Sequence, residues 1–289
     1  MKPSAFHYER PSTVQAALAL LSDGHTDTKI LAGGQSLVPM MNFRLASPGR
    51  LIDINRLPDM DYVRLEGVGS GAEIAIGALA RHADVKDSAV VKANCPLMHA
   101  AYEWVAHSAV RNRGTLCGNL CHCDPASEMP AIMLVTGATM VLRSQRGERR
   151  VAAADFFLGM YETAARADEM LVEVRIPVAP QGQTFGFREV SMRKGDYAWT
   201  VVATLLSVQA GKITHAAIAA AGIASKAIRL TAVEQAVIGQ AATQATFDNA
   251  GQVAFDTIKP TGDVATSAEY RRDLLRTLVT RTMADAGRA

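Results

Sequence analysis

The sequence predicts an α+β protein built in three consecutive parts, residues 1–60, 61–177 and 178–289. Three observations carry this. Apolar residues alternate about glycine-bearing turns between 62 and 80 and again from 138 onward; a clean alternating run ends at Pro177 and passes into the turn-rich PVAPQGQ; and apolar positions recur at helical spacing near the C-terminus.

The first part opens with Pro11-Ser12-Thr13-Val14-Gln15, where Ser12 is the expected N-cap with Gln15 three residues on. Val14, Ala17, Leu18 and Leu21 then share one helical face, and Gly24 closes the helix. In KILAGGQS the apolar run Ile30-Leu31-Ala32 stops at paired glycines, the pattern of a buried strand feeding a tight turn. Arg50 to Ile54 is a second strand, which makes residues 1 to 60 a small strand-helix-strand unit. In the second part, the Gly-Ser-Gly break between Tyr62-Val63-Leu65 and Ile74-Ile76 predicts a hairpin. Pro96 to His107 has helical spacing. TMVLRSQRGERRVAAADFF predicts a second hairpin about its Arg-Gly turn, and Leu171 to Pro177 a strand that ends at the proline. The third part offers strands at Phe185 to Val190, Ala198 to Ala210 and Ile213 to Ala221. Leu230, Val233 and Val237, then Tyr270, Leu274, Leu275 and Leu278, mark core-facing helical stripes.

Composition excludes several classes. Thirty basic against 28 acidic residues leave a formal charge of +2, far from the surplus of a general nucleic-acid binder. MKPSAFHYERPSTVQ places charges and prolines where a secretory signal needs an apolar stretch, and no run reaches the roughly 18 apolar residues of a membrane helix. A soluble, cytoplasmic protein is expected. Three of the four cysteines crowd together, unlike the dispersed framework of a disulfide-stapled domain, so reduced thiols are expected.

That crowding lies in RNRGTLCGNLCHCDP, residues 111–125, which admits two readings. Cys117, Cys121 and Cys123, with Cys95 or His122, offer the soft ligands of zinc or an iron-sulfur cluster. Against this, the single-residue gap between Cys121 and Cys123 sends their side chains to opposite sides of an extended segment, and a fourth ligand is hard to assemble. The second reading is a phosphate cradle, which needs converging backbone N–H groups and glycine wherever a Cβ blocks approach. Two segments fit. Ala32-Gly33-Gly34-Gln35-Ser36 follows a strand and adds a hydroxyl; Thr115-Leu116-Cys117-Gly118-Asn119 adds a hydroxyl, an amide and the upstream cations Arg111 and Arg113. Neither matches the dinucleotide fingerprint or the P-loop.

Asp124-Pro125 is the expected helix opening, with Asp124 as N-cap and Glu128 one turn in, either a dipole partner or a polar contact to a cofactor hydroxyl. Met192-Arg193-Lys194-Gly195-Asp196-Tyr197-Ala198 is a cationic turn with one aromatic. It is either a solvated hairpin or, beside a flavin, a cover for one ring face whose cations favour the anionic reduced form.

These segments in this order, with FHYERP (6–11), DPASEMPA (124–131), DFFLGMYET (155–163), EMLVEVRIP (169–177) and RKGDYA (193–198), resemble the FAD-binding medium subunit of the molybdenum hydroxylases, the family of carbon monoxide dehydrogenase, xanthine dehydrogenase and bacterial N-heterocycle dehydrogenases. The resemblance runs nearly end to end. It implies a fold of the vanillyl-alcohol-oxidase or PCMH type: two FAD-binding subdomains, then a C-terminal domain with a three-stranded antiparallel sheet and helices. FAD would lie between the first two parts. Ala32, Gly33, Gly34, Gln35, Ser36 and Leu37 would hold it from one side, and Thr115, Gly118 and Asn119 from the other. The resemblance further implies cofactor contacts from Asp124 and Glu128, Leu171 against the flavin, Tyr197 over the isoalloxazine, and Arg188 reaching the cofactor. Cys117 stands where relatives usually have glycine, and Glu128 where aspartate is common. The four-cysteine insertion of the hydroxybenzoyl-CoA reductases has no counterpart here.

By this resemblance no residue of the chain is catalytic and none binds metal. Oxidation would belong to a molybdenum-pterin cofactor on a large partner subunit, with electrons passing through two iron-sulfur clusters on a small one to FAD here, in a dimer of heterotrimers. A stand-alone flavin oxidoreductase of the same fold and a flavin-free scaffold are the competing readings. The residues after Pro177 are few for the substrate-capping domain that the oxidoreductase needs.

Overall fold

In the computed structural model, which describes residues 2–24 and 27–288, the chain enters on β1 (His7–Glu9), α1 (Val14–Leu21), β2 (Thr28–Leu31), α2 (Leu37–Asn42) and β3 (Arg50–Asp53). β3 is central, with β1 and β2 both parallel to it. Thr13, not Ser12, caps α1: its hydroxyl accepts the Ala16 N–H at 3.1 Å. The expected face of α1 is kept, with Ala17, Leu18 and Leu21 buried. β1 and α2 extend the strand-helix-strand unit; both are too short to carry a periodic pattern.

The second stretch runs β4 (Val63–Glu66), β5 (Glu73–Gly77), α3 (His82–Asp87), α4 (Ala89–Asn94), α5 (Pro96–Ala101), α6 (Ser108–Arg111), α7 (Leu116–His122), α8 (Glu128–Thr136), β6 (Thr139–Ser144), β7 (Gly147–Ala152), α9 (Ala153–Phe156), β8 (Phe157–Gly159), β9 (Glu162–Thr163) and β10 (Met170–Pro177). Both predicted hairpins are present, joined through β10 into an antiparallel sheet of order β4-β5-β10-β6-β7. The helix expected over 96–107 stops at Ala101. Ala106 turns left-handed (φ 46°), and the Arg111 guanidinium donates to the Val105 and Ala106 carbonyls at 2.9 and 2.6 Å, taking up acceptors that a continuing helix would have used.

The last stretch holds β11 (Gln183–Ser191), β12 (Ala198–Gln209), β13 (Lys212–Ala221), β14 (Ile228–Arg229), α10 (Thr231–Val237), α11 (Gln244–Thr257) and α12 (Ala268–Arg288). Its antiparallel sheet has four strands where the resemblance implies three, because β14 pairs with Ala219 and Ala220 of β13. The sheet lies between two layers. Val201, Ala203 and Leu205 of β12 pack into the core that includes α8, while Val202 and Leu206 pack with α10, α11 and α12. This is the period-two alternation of a strand buried on both faces. Gly186 lets α12 approach closely, since a Cβ there would run into the Thr282 backbone. The α12 stripe differs from expectation by one position. Tyr270 is exposed; Arg271 is buried instead, its guanidinium donating to Thr266 Oγ1 at 2.7 Å and the Gly222 carbonyl at 2.6 Å and paired with Asp263.

Candidate cofactor site

β2 delivers the chain into Ala32-Gly33-Gly34-Gln35-Ser36, and Leu37 begins α2. Gly34 has φ +72°, a conformation that side chains rarely adopt. At Gly33 the requirement is proximity: a Cβ there would collide with the Arg113 carbonyl and stand 2.5 Å from the Gly114 Cα. The two glycine segments are therefore stacked backbone to backbone. Among the described residues, none of the N–H groups of Gly33, Gly34, Gln35 and Ser36 donates to a protein acceptor. Four donors in one short turn remain available, which is the chemistry an oxyanion needs.

A side-chain clamp that sequence reasoning missed holds this junction. Asn55 Nδ2 donates to the Ala32 carbonyl at 2.7 Å and to Asp53 Oδ1 at 2.6 Å. Arg81 bridges the other way, Nη2 to Asn55 Oδ1 at 2.7 Å and Nη1 to the Arg113 carbonyl at 2.5 Å. Tyr8 and Arg10 complete it against Asp53, whose carboxyl lies below its usual range because these hydrogen bonds and the Arg10 charge outweigh burial. With their carbonyls tied back, the turns keep their N–H groups outward. No local motif marks Asn55 or Arg81.

The second segment is not a loop beyond Thr115. It is the start of α7: the Thr115 hydroxyl accepts the Gly118 N–H at 3.1 Å and keeps its own proton to donate. A Cβ on Gly118 would meet that hydroxyl. Cys117 points away, with Sγ 3.8 Å from the Gly77 carbonyl, so its departure from glycine does not narrow the gap. Asn119 Oδ1 accepts from the Ser127 hydroxyl at 3.0 Å.

Asp124-Pro125 does not open a helix. Cys123 ends α7 in the left-handed region, and Asp124 Oδ1 accepts the Ala126 N–H at 2.9 Å in an Asx turn, so the helix begins only at Glu128 with Ser127 as N-cap. Cys117 and Cys123 are buried and Cys121 is exposed, though the atoms packed around its thiol, and then Cys123, push it up to about 12. Among the described residues no group of three or more candidate ligands could hold a metal.

Two aromatic rings gather near Asp124. Tyr197 is 60% exposed, yet desolvation first and the Asp124 charge second push its phenol up to about 12, while a hydrogen bond with Ser36 pulls it down. Tyr161, half exposed at φ 57°, stacks on His122 with ring centroids 4.9 Å apart and donates to Asp124 Oδ2 at 3.4 Å. Tyr161 went unnoticed in the sequence, although it sits inside DFFLGMYET. The Lys194 cation of the Tyr197 turn is drawn elsewhere, 5.5 Å from the Trp104 ring centroid and 3.8 Å from Glu103.

Two further expected contacts are held by other elements. Leu171 is buried in β10 opposite Leu142, in the core of the five-stranded sheet. Arg188 lies on the helix-facing side of β11 and makes a bidentate pair with Asp285 of α12, at 2.7 and 3.0 Å. The reason is register, because Arg188 opposes Val202, whose side chain packs with the helices. Its neighbour Glu189 opposes Val201 and faces α8 instead. Glu128 is 7% exposed and its carboxyl is pushed up to about 7, chiefly by burial and further by Asp124. Glu189 is 6% exposed and is pushed up to about 8 by burial and then by Glu128. By hydrogen-bond geometry neither Glu189 oxygen has a partner among the described residues; the nearby Ser191 hydroxyl, which draws the Glu189 carboxyl down somewhat, donates to the Arg193 carbonyl at 2.9 Å. Sequence reasoning missed Glu189.

Free N–H groups, hydroxyls at Ser36 and Thr115, no Cβ in the gap and exposed aromatic rings fit a dinucleotide with a flat ring system. The family model described as the FAD binding domain in molybdopterin dehydrogenase matches residues 4–179, and that of the CO dehydrogenase flavoprotein C-terminal domain matches 185–286. The 6-hydroxypseudooxynicotine dehydrogenase complex subunit alpha of Paenarthrobacter nicotinovorans is 39% identical, over 99% of this chain and 96% of that one. The carbon monoxide dehydrogenase medium chain of Hydrogenophaga pseudoflava is 34% identical, over 98% and 97%. A solved carbon monoxide dehydrogenase from Hydrogenophaga pseudoflava superposes with a TM-score of 0.93 at 35% identity, covering 99% of this chain and 98% of that one. Quinoline 2-oxidoreductase from Pseudomonas putida 86 also gives 0.93, at 34% identity, covering 100% and 99%.

Proposed function

This chain belongs to the FAD-binding medium subunits of the molybdenum hydroxylases and is the FAD-carrying, electron-transferring component of a multisubunit dehydrogenase, and we propose that it holds the FAD diphosphate where Gly33 meets Arg113 and Gly114. One observation carries the placement: two glycine segments in backbone contact, one presenting four N–H groups with no protein acceptor. Gly33, Gly34, Gln35 and Ser36 bind the phosphates through the backbone, with the Ser36 and Thr115 hydroxyls beside them. Ala32 and Leu37 flank this turn, and Gly118, Asn119 and Asp124 shape the facing wall. Glu128 meets a cofactor hydroxyl, and Tyr197 covers one face of the flavin ring.

FAD accepts electrons singly and releases them in pairs, which suits an exit port. The chain itself binds, orients and shields; no side chain acts as nucleophile. Electrons arrive from a small iron-sulfur subunit, fed by a large molybdenum-pterin subunit, in a cytoplasmic dimer of heterotrimers. In support, the relatives bear names of medium chains and complex subunits, and among the described residues no helix is long and apolar enough to cross a membrane.

The placement is tested by Gly33→Val in the purified complex. FAD content per complex should fall at least tenfold while the partner subunits stay bound. Full flavin occupancy in that variant would move the diphosphate elsewhere.

A further inference from the structure

The carboxyls of Glu128 and Glu189 come from different parts of the chain, the start of α8 and the face of β11 turned toward the core that includes α8, and the Glu128 charge acts on Glu189. Both are more than nine-tenths buried, and Glu189 has no hydrogen-bond partner on either oxygen. Two buried carboxylates without a cation cannot both stay ionised at moderate cost. We propose that Glu128 and Glu189 form a proton-holding pair that takes up a proton from water as electrons enter the adjoining cofactor cleft, an inference that rests on the cofactor placement above.

No salt bridge among the described residues reaches either carboxyl. On α8, Glu128 is the one titratable side chain. Beside Glu128 stand Asp124, Tyr161 and Tyr197, with the His122 ring stacked on Tyr161 and 3.9 Å from Asp124, its imidazole pushed down chiefly by burial. Near Glu128 stands the buried Tyr102, raised well above its usual value chiefly by burial. α5, which packs on β11, turns its His99 to the Lys86 carbonyl at 3.2 Å. Of the cations nearest in sequence, Arg188 is engaged with Asp285 on the other face and Lys194 with Glu103, while Arg193 is exposed. Opposite Glu189 the register puts apolar Val201.

Each electron delivered by the iron-sulfur partner adds one negative charge to the cleft. For each two electrons the pair takes up one proton: an O–H bond forms on a carboxylate oxygen of the pair, and the O–H bond of a hydronium ion breaks to release water. The pair titrates as a unit, so the proton belongs to both residues.

The test is a reductive titration of FAD in the purified complex with dithionite and a redox dye, repeated from about pH 6 to about pH 9, in wild type and Glu189→Gln. The wild-type midpoint should fall more steeply with pH than that of the variant, by about 30 mV per pH unit for one proton shared by two electrons. Equal slopes, with FAD present in both, would overturn the pair and leave the cofactor placement intact. A complex that holds no FAD would overturn the placement first. If Glu189→Gln loses FAD or fails to assemble, the reduced-minus-oxidised infrared spectrum of the wild type decides: a protonated-carboxyl stretch must grow on reduction, and a flat carboxyl region sinks the proposal.

Discussion

Arg81 and Asn55 share a 2.7 Å hydrogen bond, and each also donates to a carbonyl of a different glycine segment, Arg81 to Arg113 and Asn55 to Ala32. Neither side chain needs to touch a ligand to matter. Together they fix the gap between two turns that the chain path alone leaves unconnected.

Removing either half should loosen the gap without dismantling the fold. For Arg81→Ala or Asn55→Ala, loss of hydrogen bonds worth about 1–2 kcal/mol predicts FAD binding weaker by roughly tenfold, read by flavin fluorescence on dilution. The double variant should be little worse than either single one, because the two act as one bridge. Far-ultraviolet circular dichroism should be unchanged in all three. Additive losses would show that the residues act separately.

His82 sits directly under the second turn. Its backbone N–H donates to the Gly114 carbonyl at 2.9 Å, and its ring Nδ1 lies 3.2 Å from the Tyr102 hydroxyl. Burial, with the Arg111 charge behind it, pushes the imidazole down to about 4 from 6.5. The unfolded chain therefore binds a proton that the folded one refuses between those values, so stability falls as pH drops from about 6.5 toward about 4. The loss from this one group is on the order of 3 kcal/mol. His82→Gln should flatten that part of the acid limb in urea midpoints measured against pH. An unaltered acid limb in the variant would assign the loss to other groups.

Arg188 offers the converse expectation. Its pair with Asp285 is partly exposed, so Arg188→Ala should lower stability by no more than about 1 kcal/mol, by urea unfolding. FAD affinity should stay within twofold of wild type, since the side chain faces α12. A large loss of flavin would place Arg188 on the cofactor after all.

Local pattern carried much of this architecture. The hairpins at 62–80 and 138–156, the strand ending at Pro177, the glycine pair after β2 and the burial of Leu230, Val233 and Val237 were all readable, because each depends on periodicity or on one residue's conformational freedom. Short elements escaped, such as β1, α2 and β14, since two to six residues cannot display a period.

Orientation and encounter were settled only in three dimensions. In a strand buried on both faces, adjacent residues point oppositely, and nothing in Phe187-Arg188-Glu189 says which face will meet α8 and which α12. Packing of β12 between those layers sent Arg188 toward α12 and Glu189 toward the layer that contains α8. Likewise Asp53, Asn55, Arg81 and Arg113 carry no shared spacing. They meet because parallel β2 and β3 and the start of α3 converge on one edge, and long-range convergence leaves no trace in a one-dimensional pattern.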